Sequence, residues 1–347
     1  MSARLRTGGG ERPGANLLRV RLSVLLPAKN AAATVELAVR SVLTQTVRDF
    51  ELLAIDDGST DDTRARLDAL AAVDPRLRVL SSDDRGLVAA LNLGLAHARA
   101  PLIARMDADD ESHPERFAVS LAALEANPGW AGVGTGVEIF REDRPPSPNL
   151  VAYGRWLSSL TSPALLFRDR FIESPLCHPS VLLRREALGD GWRTGDFPED
   201  WELWLRLLEA GQRLSCVPRV LLRWRDHEQR LTRSDPRCAR PRLLALKADF
   251  LARLLGDAPL TLWGATDTGL ALSTLLRARG ARVTGFIELD PRKVGQTIHG
   301  VRVRPLEATP PDGHVLLCVA AKGAREKIRA WLTQRGKTEL KDFTCVA

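Results

Sequence analysis

The apolar residues near the start of the chain fall into short continuous runs separated by a stretch of helical spacing. Residues 22–26 form an apolar run that ends at Pro27, and residues 50–55 form a second one. Such runs are typical of strands buried on both faces of a parallel sheet. Between them, the apolar residues of 35–43 recur at helical spacing. The pattern predicts strand, helix and strand from residue 22 to residue 55.

The alternation of strand and helix continues with a strand at 78–80, a helix at 87–98 and a strand at 102–106. This order predicts an α/β protein in which a parallel sheet is covered by helices on both faces. In such sheets, ligands bind beyond the carboxyl ends of the strands. Two of the predicted strands run directly into acidic loops, at 56–57 and at 107–110. We therefore expect both acidic loops at one edge of the sheet.

A second, smaller α/β unit begins near residue 260. The pattern of residues 260–287 predicts strand, turn, helix and strand, which is a Rossmann-like βαβ outline. Thr266 stands where the dinucleotide-binding fingerprint has its second glycine, whose missing side chain lets the backbone approach a pyrophosphate. NAD binding is therefore disfavoured, although Glu288 or Asp290 could still receive a ribose. A structural, oligomerising or acceptor-positioning role is favoured over cofactor binding.

Two segments interrupt the pattern and suggest domain boundaries. Residues 141–148 are rich in proline and charge, which predicts a mobile loop. A second proline-marked stretch at 234–241 precedes an amphipathic helix at 243–255. The predicted divisions are a disordered leader at 1–20, a larger α/β domain at 21–235, a helical linker at 236–256 and a Rossmann-like domain at 257–347.

Length and charge narrow the classes of protein. With 347 residues and 44% hydrophobic content, the chain is too long for one ordinary core, which agrees with two domains. The formal net charge of +7 would indicate a nucleic-acid or membrane partner if the basic residues were clustered. They are dispersed, and only seven of the 50 are lysine. We interpret the charge as a solvated surface without a nucleic-acid partner, and peripheral membrane contact stays open.

Cysteine spacing and hydropathy bear on the cellular compartment. The five cysteines include no C-x-x-C pair, so neither a zinc site nor a disulfide framework is indicated, and a reducing compartment fits best. No stretch approaches the ~20 apolar residues of a membrane span. Residues 1–19 lack the apolar segment of a signal peptide. We expect a cytoplasmic protein.

The acidic loop at 107–110 is the first candidate for chemistry. Asp107 and Asp109 would present two carboxylates at the ligand-binding edge, and Mg²⁺ and Mn²⁺ prefer oxygen ligands. A divalent cation can neutralise the charge that develops on a departing diphosphate. On its own, the three-residue pattern is more often a solvated loop or a helix-capping cluster.

Further short motifs surround this loop in a fixed order and make the pattern specific. The motifs are SVLLPAKN (23–30), SVLTQT (41–46), DDGSTDDT (56–63), Gly86 with ALNLG (90–94), DADD (107–110), HPS (178–180), PEDW (198–201) and WRDH (224–227). With them, residues 22–234 resemble the inverting family 2 glycosyltransferases of GT-A fold. The C-terminal unit is similar to the Rossmann-like appendage of some bacterial members, and that similarity assigns it no chemistry.

The resemblance implies a reaction and a set of donor-binding residues. Such an enzyme moves a sugar from a nucleotide-diphosphate sugar, chiefly a UDP-sugar, to a hydroxyl acceptor with inversion at the anomeric carbon, using Mn²⁺ or Mg²⁺. Pro27 and Asp57 would contact the nucleobase. Asp107 and Asp109 would line the ribose and the metal–diphosphate site. Asp110 could share the metal, which leaves the main metal ligand open between Asp109 and Asp110.

Three other residues of these motifs have two interpretations each. Arg85 and Asn92 lie where the family places nucleotide-facing groups, although a structural role is equally compatible with the sequence. His178 could bind the acceptor or stabilise a loop. The sequence alone does not separate these roles.

Arg225 and His227 match the Arg-x-His motif that follows the last core strand of the family. There they would meet the diphosphate and the metal, and the alternative is a structural pairing with Asp226 or Glu228. The pair His227-Glu228 also begins like the HExxH zinc motif. Its fifth residue is Leu231, so a zinc protease is excluded.

The second acidic pair, Glu199-Asp200, precedes an apolar helix. A helix N-terminus favours carboxylates through its dipole, so a simple cap is the alternative interpretation. An inverting displacement needs a base that takes the proton of the acceptor hydroxyl. The resemblance assigns that role to Asp200, with Glu199 as an orienting, nucleotide-sugar-binding neighbour.

The predicted function is a metal-dependent hexosyl- or hexosaminyltransferase of surface glycan synthesis, with a glycan, lipid-linked or protein acceptor. Oligomerisation through the C-terminal domain stays open. An NAD-linked oxidoreductase acting through that domain and a non-catalytic sugar-nucleotide sensor are the alternatives. The intact Asp107, Asp109 and Asp200 argue against the sensor, and the sequence has no G-x-S-x-G elbow or Walker loop.

Overall fold

Two β-sheets with flanking helices make up the described part of the chain. The computed structural model of the protein describes residues 20–307, 313–321 and 323–347. Residues 1–19 of the predicted leader lie outside these ranges. A larger sheet is formed before residue 226 and a smaller one after residue 259, so the α/β class is confirmed.

The larger sheet contains eight strands of the described chain. These are β1 Leu22–Ala28, β2 Phe50–Asp56, β3 Leu77–Ser81, β4 Leu102–Arg105, β5 Glu111–Ser112, β6 Trp130–Phe140, β7 Leu182–Arg184 and β8 Arg213–Arg225. Their order across the sheet is β3-β2-β1-β4-β7-β6-β8-β5. Strands β1 to β4 are parallel to one another, and β6 pairs in parallel with β8. Strands β7 and β5 run antiparallel to their neighbours.

The first strands are formed by the apolar runs of the sequence. Every residue of β1 and β2 is buried, as expected for parallel strands covered on both faces. Their register pairs Leu22 with Phe50 and Ala28 with Asp56, so the two strands end side by side. The four strands predicted from residue 22 to residue 106 are confirmed to within two residues at each end.

Within the described residues, ten α-helices connect or flank these strands. They are α1 Val35–Leu43, α2 Thr63–Ala71, α3 Leu87–His97, α4 Arg116–Ala126, α5 Pro148–Ser159, α6 Pro163–Asp169, α7 Arg185–Leu188, α8 Glu199–Glu209, α9 Leu231–Ser234 and α10 Arg240–Leu255. Single 3₁₀ turns lie at His178–Ser180 and Pro236–Cys238. Across the described ranges, no helix combines the length and the apolar character needed to cross a membrane.

The segment predicted as a loop at 141–148 ends in a helix that the sequence analysis did not predict. Helix α5 begins at Pro148, and the Ser147 side chain accepts a hydrogen bond from the Leu150 N–H at 3.3 Å. A serine N-cap followed by proline at the first helical position is a favourable helix start. The loop is therefore shorter than predicted, and its last proline belongs to α5.

The smaller sheet confirms the predicted order of strand, turn, helix and strand. Its strands are β9 Leu260–Trp263, β10 Val283–Ile287, β11 Thr297–Ile298, β12 Val301–Arg304, β13 His314–Leu317 and β14 Phe343–Cys345, with helices α11 Asp267–Ala278 and α12 Ala324–Thr333. The strand order is β11-β12-β10-β9-β13-β14, and among these described strands β11 alone is antiparallel to its neighbour.

Helical residues of the larger unit share a hydrophobic cluster with the smaller sheet. Phe171, Trp201 and Leu205 from the larger unit pack in one cluster with α10, β9 and α11. Helix α10 begins at Arg240, three residues before the predicted start, because Pro241 is compatible with the first turn of a helix. The helix predicted as a linker is thus packed between the two units.

Candidate active site

The acidic loops of the larger sheet lie at the carboxyl ends of adjacent parallel strands. The Asp57 N–H donates to the Ala28 carbonyl at 2.8 Å, directly after β2. The Met106 N–H donates to the Leu25 carbonyl at 3.0 Å, directly after β4. Both loops therefore continue from strands paired to β1 and leave the sheet at one edge, as predicted. In sheets of this kind that edge is the ligand-binding edge.

Three carboxylates of the second loop form a cluster that suits a metal ion. Asp107, Asp109 and Asp110 each offer an oxygen, and these oxygens lie within 4.8 Å of one another. Asp110 is only 1% exposed, and its Oδ1 accepts the Arg225 N–H at 2.9 Å. Its Oδ2 is buried and has no donor among the described residues. Asp109 Oδ2 contacts Nε2 of His227 at 2.9 Å.

The electrostatics of this cluster favour a cation. Burial and the charges of Asp107 and Asp109 raise the pKa of Asp110 well above its usual range. Burial and the charge of Asp107 also raise the pKa of Asp109, although the contact with His227 opposes this shift. Three crowded carboxylates, one with an unpartnered buried oxygen, are the donor set that a hard divalent cation prefers. The residues present therefore fit the predicted metal.

Two buried arginines, Arg105 and Arg116, lie next to the acidic loop at 107–110. Arg105 pairs with the carboxylate of Asp107. Burial alone would lower the pKa of Arg105, but the charges of Asp107, Glu199 and Asp110 raise it overall. Arg116 is 1% exposed and donates to the Arg105 carbonyl at 3.2 Å, and burial lowers its pKa to about 10. The influence of both Asp107 and Glu199 on Arg105 places the two acidic motifs near one site.

Arg225 is held by acidic partners other than those predicted. Its Nε donates to the Asp109 carbonyl at 2.7 Å, and its guanidinium pairs with Glu111 at 3.2 Å and with Glu142. The predicted alternative partner, Asp226, instead pairs with arginines 141 and 233. The guanidinium of Arg225 thus fixes the acidic loop in place, and the pairing with Asp226 is corrected.

Asp57 lies at the predicted nucleobase end of the edge. Its Oδ1 accepts from the Arg85 N–H at 2.9 Å and from the Ser82 hydroxyl, and its Oδ2 accepts from the Gly86 N–H at 2.9 Å. Gly86 has φ +86°, a conformation that glycine adopts without strain, and it is the N-cap of α3. The carboxylate is therefore held rigidly by the start of α3, while the side chain of Arg85 is exposed.

Two other candidates of this region have structural surroundings. Pro27 is buried in β1, one residue before the strand end. The Asn92 amide donates to the Trp192 carbonyl at 2.8 Å, and its oxygen accepts the Trp192 N–H at 2.9 Å. Asn92 therefore holds the loop around residue 192, which supports the structural interpretation for this residue.

Asp200 lies in the first turn of α8, beside a residue that the sequence analysis did not identify. Its Oδ2 accepts the Ser174 hydroxyl at 3.1 Å, and its Oδ1 accepts the Trp201 N–H at 2.7 Å. Burial and the charge of Glu199 raise the pKa of Asp200 to about 6. A carboxylate with a pKa near the working pH can accept a proton in a reaction. Ser174 matches no motif, because it meets Asp200 only through the fold.

Glu199 is oriented by a buried histidine. Nδ1 of His178 lies 3.6 Å from Glu199 Oε1, and the Trp192 indole N–H donates to Nε2 of His178 at 3.0 Å. In this arrangement Nδ1 carries the proton that faces Glu199. Burial opposes ionisation of Glu199, yet His178 lowers its pKa overall. His178 thus keeps Glu199 charged beside Asp200.

The turn of the smaller sheet is occupied by its own side chains. Glu288 Oε2 accepts the Ala265 N–H at 2.9 Å, and Lys293 Nζ donates to the Ala265 carbonyl at 2.7 Å. A Cβ on Gly269 would lie 2.0 Å from the Gly264 carbonyl oxygen, so the close approach of helix and turn requires glycine. Of the two carboxylates offered for a ribose, Glu288 is bonded to the turn and Asp290 is bonded to Arg292, so neither observation favours an oxidoreductase.

This arrangement defines a class of protein. A mostly parallel sheet with a carboxylate cluster after β4 and a second acidic pair at the start of α8 agrees with the GT-A glycosyltransferase fold. Residues 23–192 match the family described as Glycosyl transferase family 2. The matched range includes the cluster and ends before Glu199-Asp200, His227 and the smaller sheet.

The chain is similar to two bacterial glycosyltransferases. The chain is 31% identical to the putative glycosyltransferase EpsE of Bacillus subtilis over 213 residues, which cover 59% of this chain and 73% of EpsE. It is 26% identical to the O-antigen biosynthesis glycosyltransferase WbnJ of Escherichia coli over 220 residues, 61% of this chain and 82% of WbnJ. The protein belongs to glycosyltransferase family 2, which confirms the resemblance of its motifs.

Two solved structures share the fold. S. aureus TarS in complex with UDP-GlcNAc aligns with a TM-score of 0.53 and 15% identity, over 74% of this chain and 71% of TarS. The mannosyltransferase PcManGT from Pyrobaculum calidifontis, in complex with GDP-Man and Mn²⁺, aligns with a TM-score of 0.51 and 19% identity, over 75% and 69%. At these identities the likeness concerns the fold alone, and it confirms the GT-A fold.

Proposed function

We propose that the protein is an inverting, metal-dependent glycosyltransferase that uses a nucleotide-diphosphate sugar as donor. One observation carries this proposal. Two carboxylate sites of different kinds lie near the same buried guanidinium, that of Arg105. The charges of Asp107, Glu199 and Asp110 all raise the pKa of Arg105, and Arg105 pairs directly with Asp107. One site suits a metal and a diphosphate, and the other holds a carboxylate able to take a proton.

The donor end of the site would be formed by the acidic loop. Asp109, Asp110 and His227 would hold Mn²⁺ or Mg²⁺, with Asp107 at the ribose and diphosphate. When bound, the cation would neutralise charge on the departing diphosphate. Arg225 would keep the loop in position through its bonds to Asp109 and Glu111.

The acceptor end would be formed by Asp200. Its carboxylate takes the proton of the acceptor hydroxyl while that oxygen bonds to the anomeric carbon, and the bond to the diphosphate oxygen breaks. The diphosphate leaves with the bonding electron pair on the opposite face, so the configuration inverts. The hydrogen bonds from Ser174 and Trp201 orient the carboxylate for this transfer.

The donor sugar, acceptor and location belong to the same proposal. A hexosyl or hexosaminyl donor and surface glycan synthesis agree with the ligand of TarS and with the name of WbnJ. The acceptor would be a glycan, a lipid-linked intermediate or a protein, and the reaction would take place in the cytoplasm. We retain the division into domains at 21–235, 236–256 and 257–347, with a structural role for the last.

The hydrogen bonds of Asp57 favour a uracil base. A carboxylate can accept about four hydrogen bonds, and Asp57 already accepts three of them. The remaining position suits the single ring N–H of uracil, whereas guanine presents an N–H and an amino group together. We expect UDP to bind at least ~10-fold more tightly than GDP in the presence of Mn²⁺, since an unpaired buried donor costs about 1–3 kcal/mol. Calorimetric titration measures both affinities, and equal or tighter GDP binding would contradict this assignment.

The pKa of Asp200 predicts how activity depends on pH. The base acts in its ionised form, and its pKa is raised to about 6. The kcat should therefore rise with pH through about 6 and then reach a plateau. Ser174→Ala removes a hydrogen bond that favours the ionised form, so it should move this inflection to higher pH. A profile of kcat from acid to neutral pH that stays flat in both proteins would argue against Asp200.

The proposed function itself is tested by donor turnover. The protein is incubated with Mn²⁺, UDP-glucose, UDP-galactose, UDP-GlcNAc or UDP-GalNAc, and a panel of simple pyranosides, and the release of UDP is followed. Acceptor-dependent release with one donor is expected, and the product should have the inverted anomeric configuration. Tight donor binding without turnover on any acceptor would instead favour a sugar-nucleotide sensor.

A further inference from the structure

A short segment of the larger unit packs against the smaller sheet and its helix α12 just before it reaches the candidate base. Asp169, at its start, pairs with Arg329 of α12. Phe171 and Ile172 are buried in the clusters that also contain the strands of the smaller sheet. Two residues later, Ser174 donates its hydroxyl to Asp200. The segment from Asp169 to Ser174 thus connects the smaller sheet with the base.

Lys247 of α10 joins this segment to the smaller sheet. It is only 6% exposed, and burial lowers its pKa to about 8. Its Nζ donates to the Ile172 carbonyl at 3.0 Å and to the Val346 carbonyl at 2.9 Å. Val346 directly follows β14. One buried amino group therefore bridges the linker helix, the smaller sheet and the segment that leads to Ser174.

The same amino group also contacts the residue after Asp200. Nζ of Lys247 lies 5.0 Å from the centre of the Trp201 ring, a distance at which a cation and an aromatic face attract each other. Trp201 is 1% exposed, and its indole N–H donates to the Arg170 carbonyl at 3.0 Å. Both groups that donate to the carboxylate of Asp200, on Ser174 and Trp201, are therefore anchored around one lysine.

We infer that Lys247 is a positioning residue for the base Asp200, so that the smaller sheet is a working part of the transfer site. This inference rests on the proposed function of Asp200. Catalytic groups must be held within about 0.5 Å of their productive geometry, and a displacement of about 1 Å can cost ~100-fold in rate. Lys247 sets the position of Ser174 and Trp201 without touching substrate.

The test replaces Lys247 with methionine, which keeps most of the length and apolar contacts of the side chain. UDP release is measured with the best donor and acceptor of the panel described above. The kcat of Lys247→Met should fall ~10-fold or more, while the KM for the UDP-sugar stays within about twofold, because the donor end of the site is unchanged. Arg253→Met on the same helix is the matched control, since Arg253 pairs with Glu209 at the surface, and it should keep the parental kcat.

A double-mutant cycle separates positioning from a general loss of stability. Because Lys247 acts in part through Ser174, the kcat losses of the two single variants should combine less than multiplicatively in Lys247→Met/Ser174→Ala. Multiplicative losses, or an unchanged kcat in Lys247→Met, would overturn the inference. If Lys247→Met does not fold, Arg329→Met provides the same comparison at the Asp169 anchor. The Asp200→Asn variant is measured in the same assay. If it stays active, the proposed function is refuted. If it is inactive while Lys247→Met is fully active, this inference alone is refuted.

Discussion

Replacing Asp200 with asparagine should lower the transfer rate by ~10³-fold or more and leave Mn²⁺-dependent UDP binding unchanged. General-base catalysis contributes about 10²- to 10⁴-fold, and the amide of asparagine cannot take the proton of the acceptor. The side chain keeps its size and can still accept from the Ser174 hydroxyl. The measurement is kcat by UDP release, combined with calorimetric titration of UDP.

The same substitution should make the protein more stable above neutral pH. The pKa of Asp200 in the folded protein is raised to about 6, so burial and the neighbouring Glu199 disfavour its charge. The free energy of unfolding therefore decreases as the pH rises from 3.8, the ordinary pKa of the group, to about 6. Asparagine has no charge to bury, so the Tm of the Asp200→Asn variant at pH 8 should exceed that of the parent protein. An inactive but more stable variant is the signature expected of a strained catalytic group.

Asp196→Asn is the matched control for this experiment. Asp196 lies four residues earlier, is exposed, and pairs with Arg242 at 3.0 Å on the surface. Its substitution should change neither kcat nor the inflection of the pH profile. Near-parental turnover in Asp200→Asn would remove Asp200 as the base, and lost UDP binding would assign it a structural role instead.

Removal of divalent metal should abolish activity, and added Mn²⁺ should restore it. The three carboxylates of the 107–110 loop lie within 4.8 Å of one another, and without a cation they would repel the diphosphate of the donor. We expect at least a ~100-fold loss of UDP release in EDTA. Asp109→Asn and Asp110→Asn should each weaken Mn²⁺-dependent UDP binding by ~10-fold or more, which calorimetric titration can measure.

Comparing these two variants identifies the stronger metal ligand, which the sequence left open between them. Glu138→Gln is the control, since Glu138 is an exposed acid of β6 and its side chain is 61% exposed. It should leave both metal binding and turnover at parental values. Full activity and donor affinity in EDTA would show that the cluster serves another purpose.

The sequence predicted best those elements in which every residue is buried to the same degree. Strands β1 and β2 are buried at every position, so their apolar runs are continuous and easily recognised. Helix α5 was missed because only Gly154 and Leu157 of its 12 residues are buried, so its apolar positions give little periodicity after the proline-rich loop. The Ser147-Pro148 pair was the available signal, and it is a known helix start.

The candidate site was predictable to the extent that its residues belong to ordered motifs. Asp107, Asp109 and Asp200 could be located in this way. Ser174 and Lys247 could not, because they act through contacts between residues 26 and 75 positions apart that no local spacing reveals. The acidic partners of Arg225 could not be predicted for the same reason, since Glu142 and Glu111 lie 83 and 114 positions away in the sequence.

The bridge made by Lys247 has a consequence for how the protein is synthesised. The larger sheet is complete at Arg225, but the Val346 carbonyl that helps to hold Lys247 follows β14, roughly 120 residues later. At about 5–20 residues per second, a ribosome needs about 6–24 s to add that stretch. During this interval a nascent chain can fold the donor-binding edge while its base is still unanchored. It would then bind a nucleotide sugar before it can transfer one.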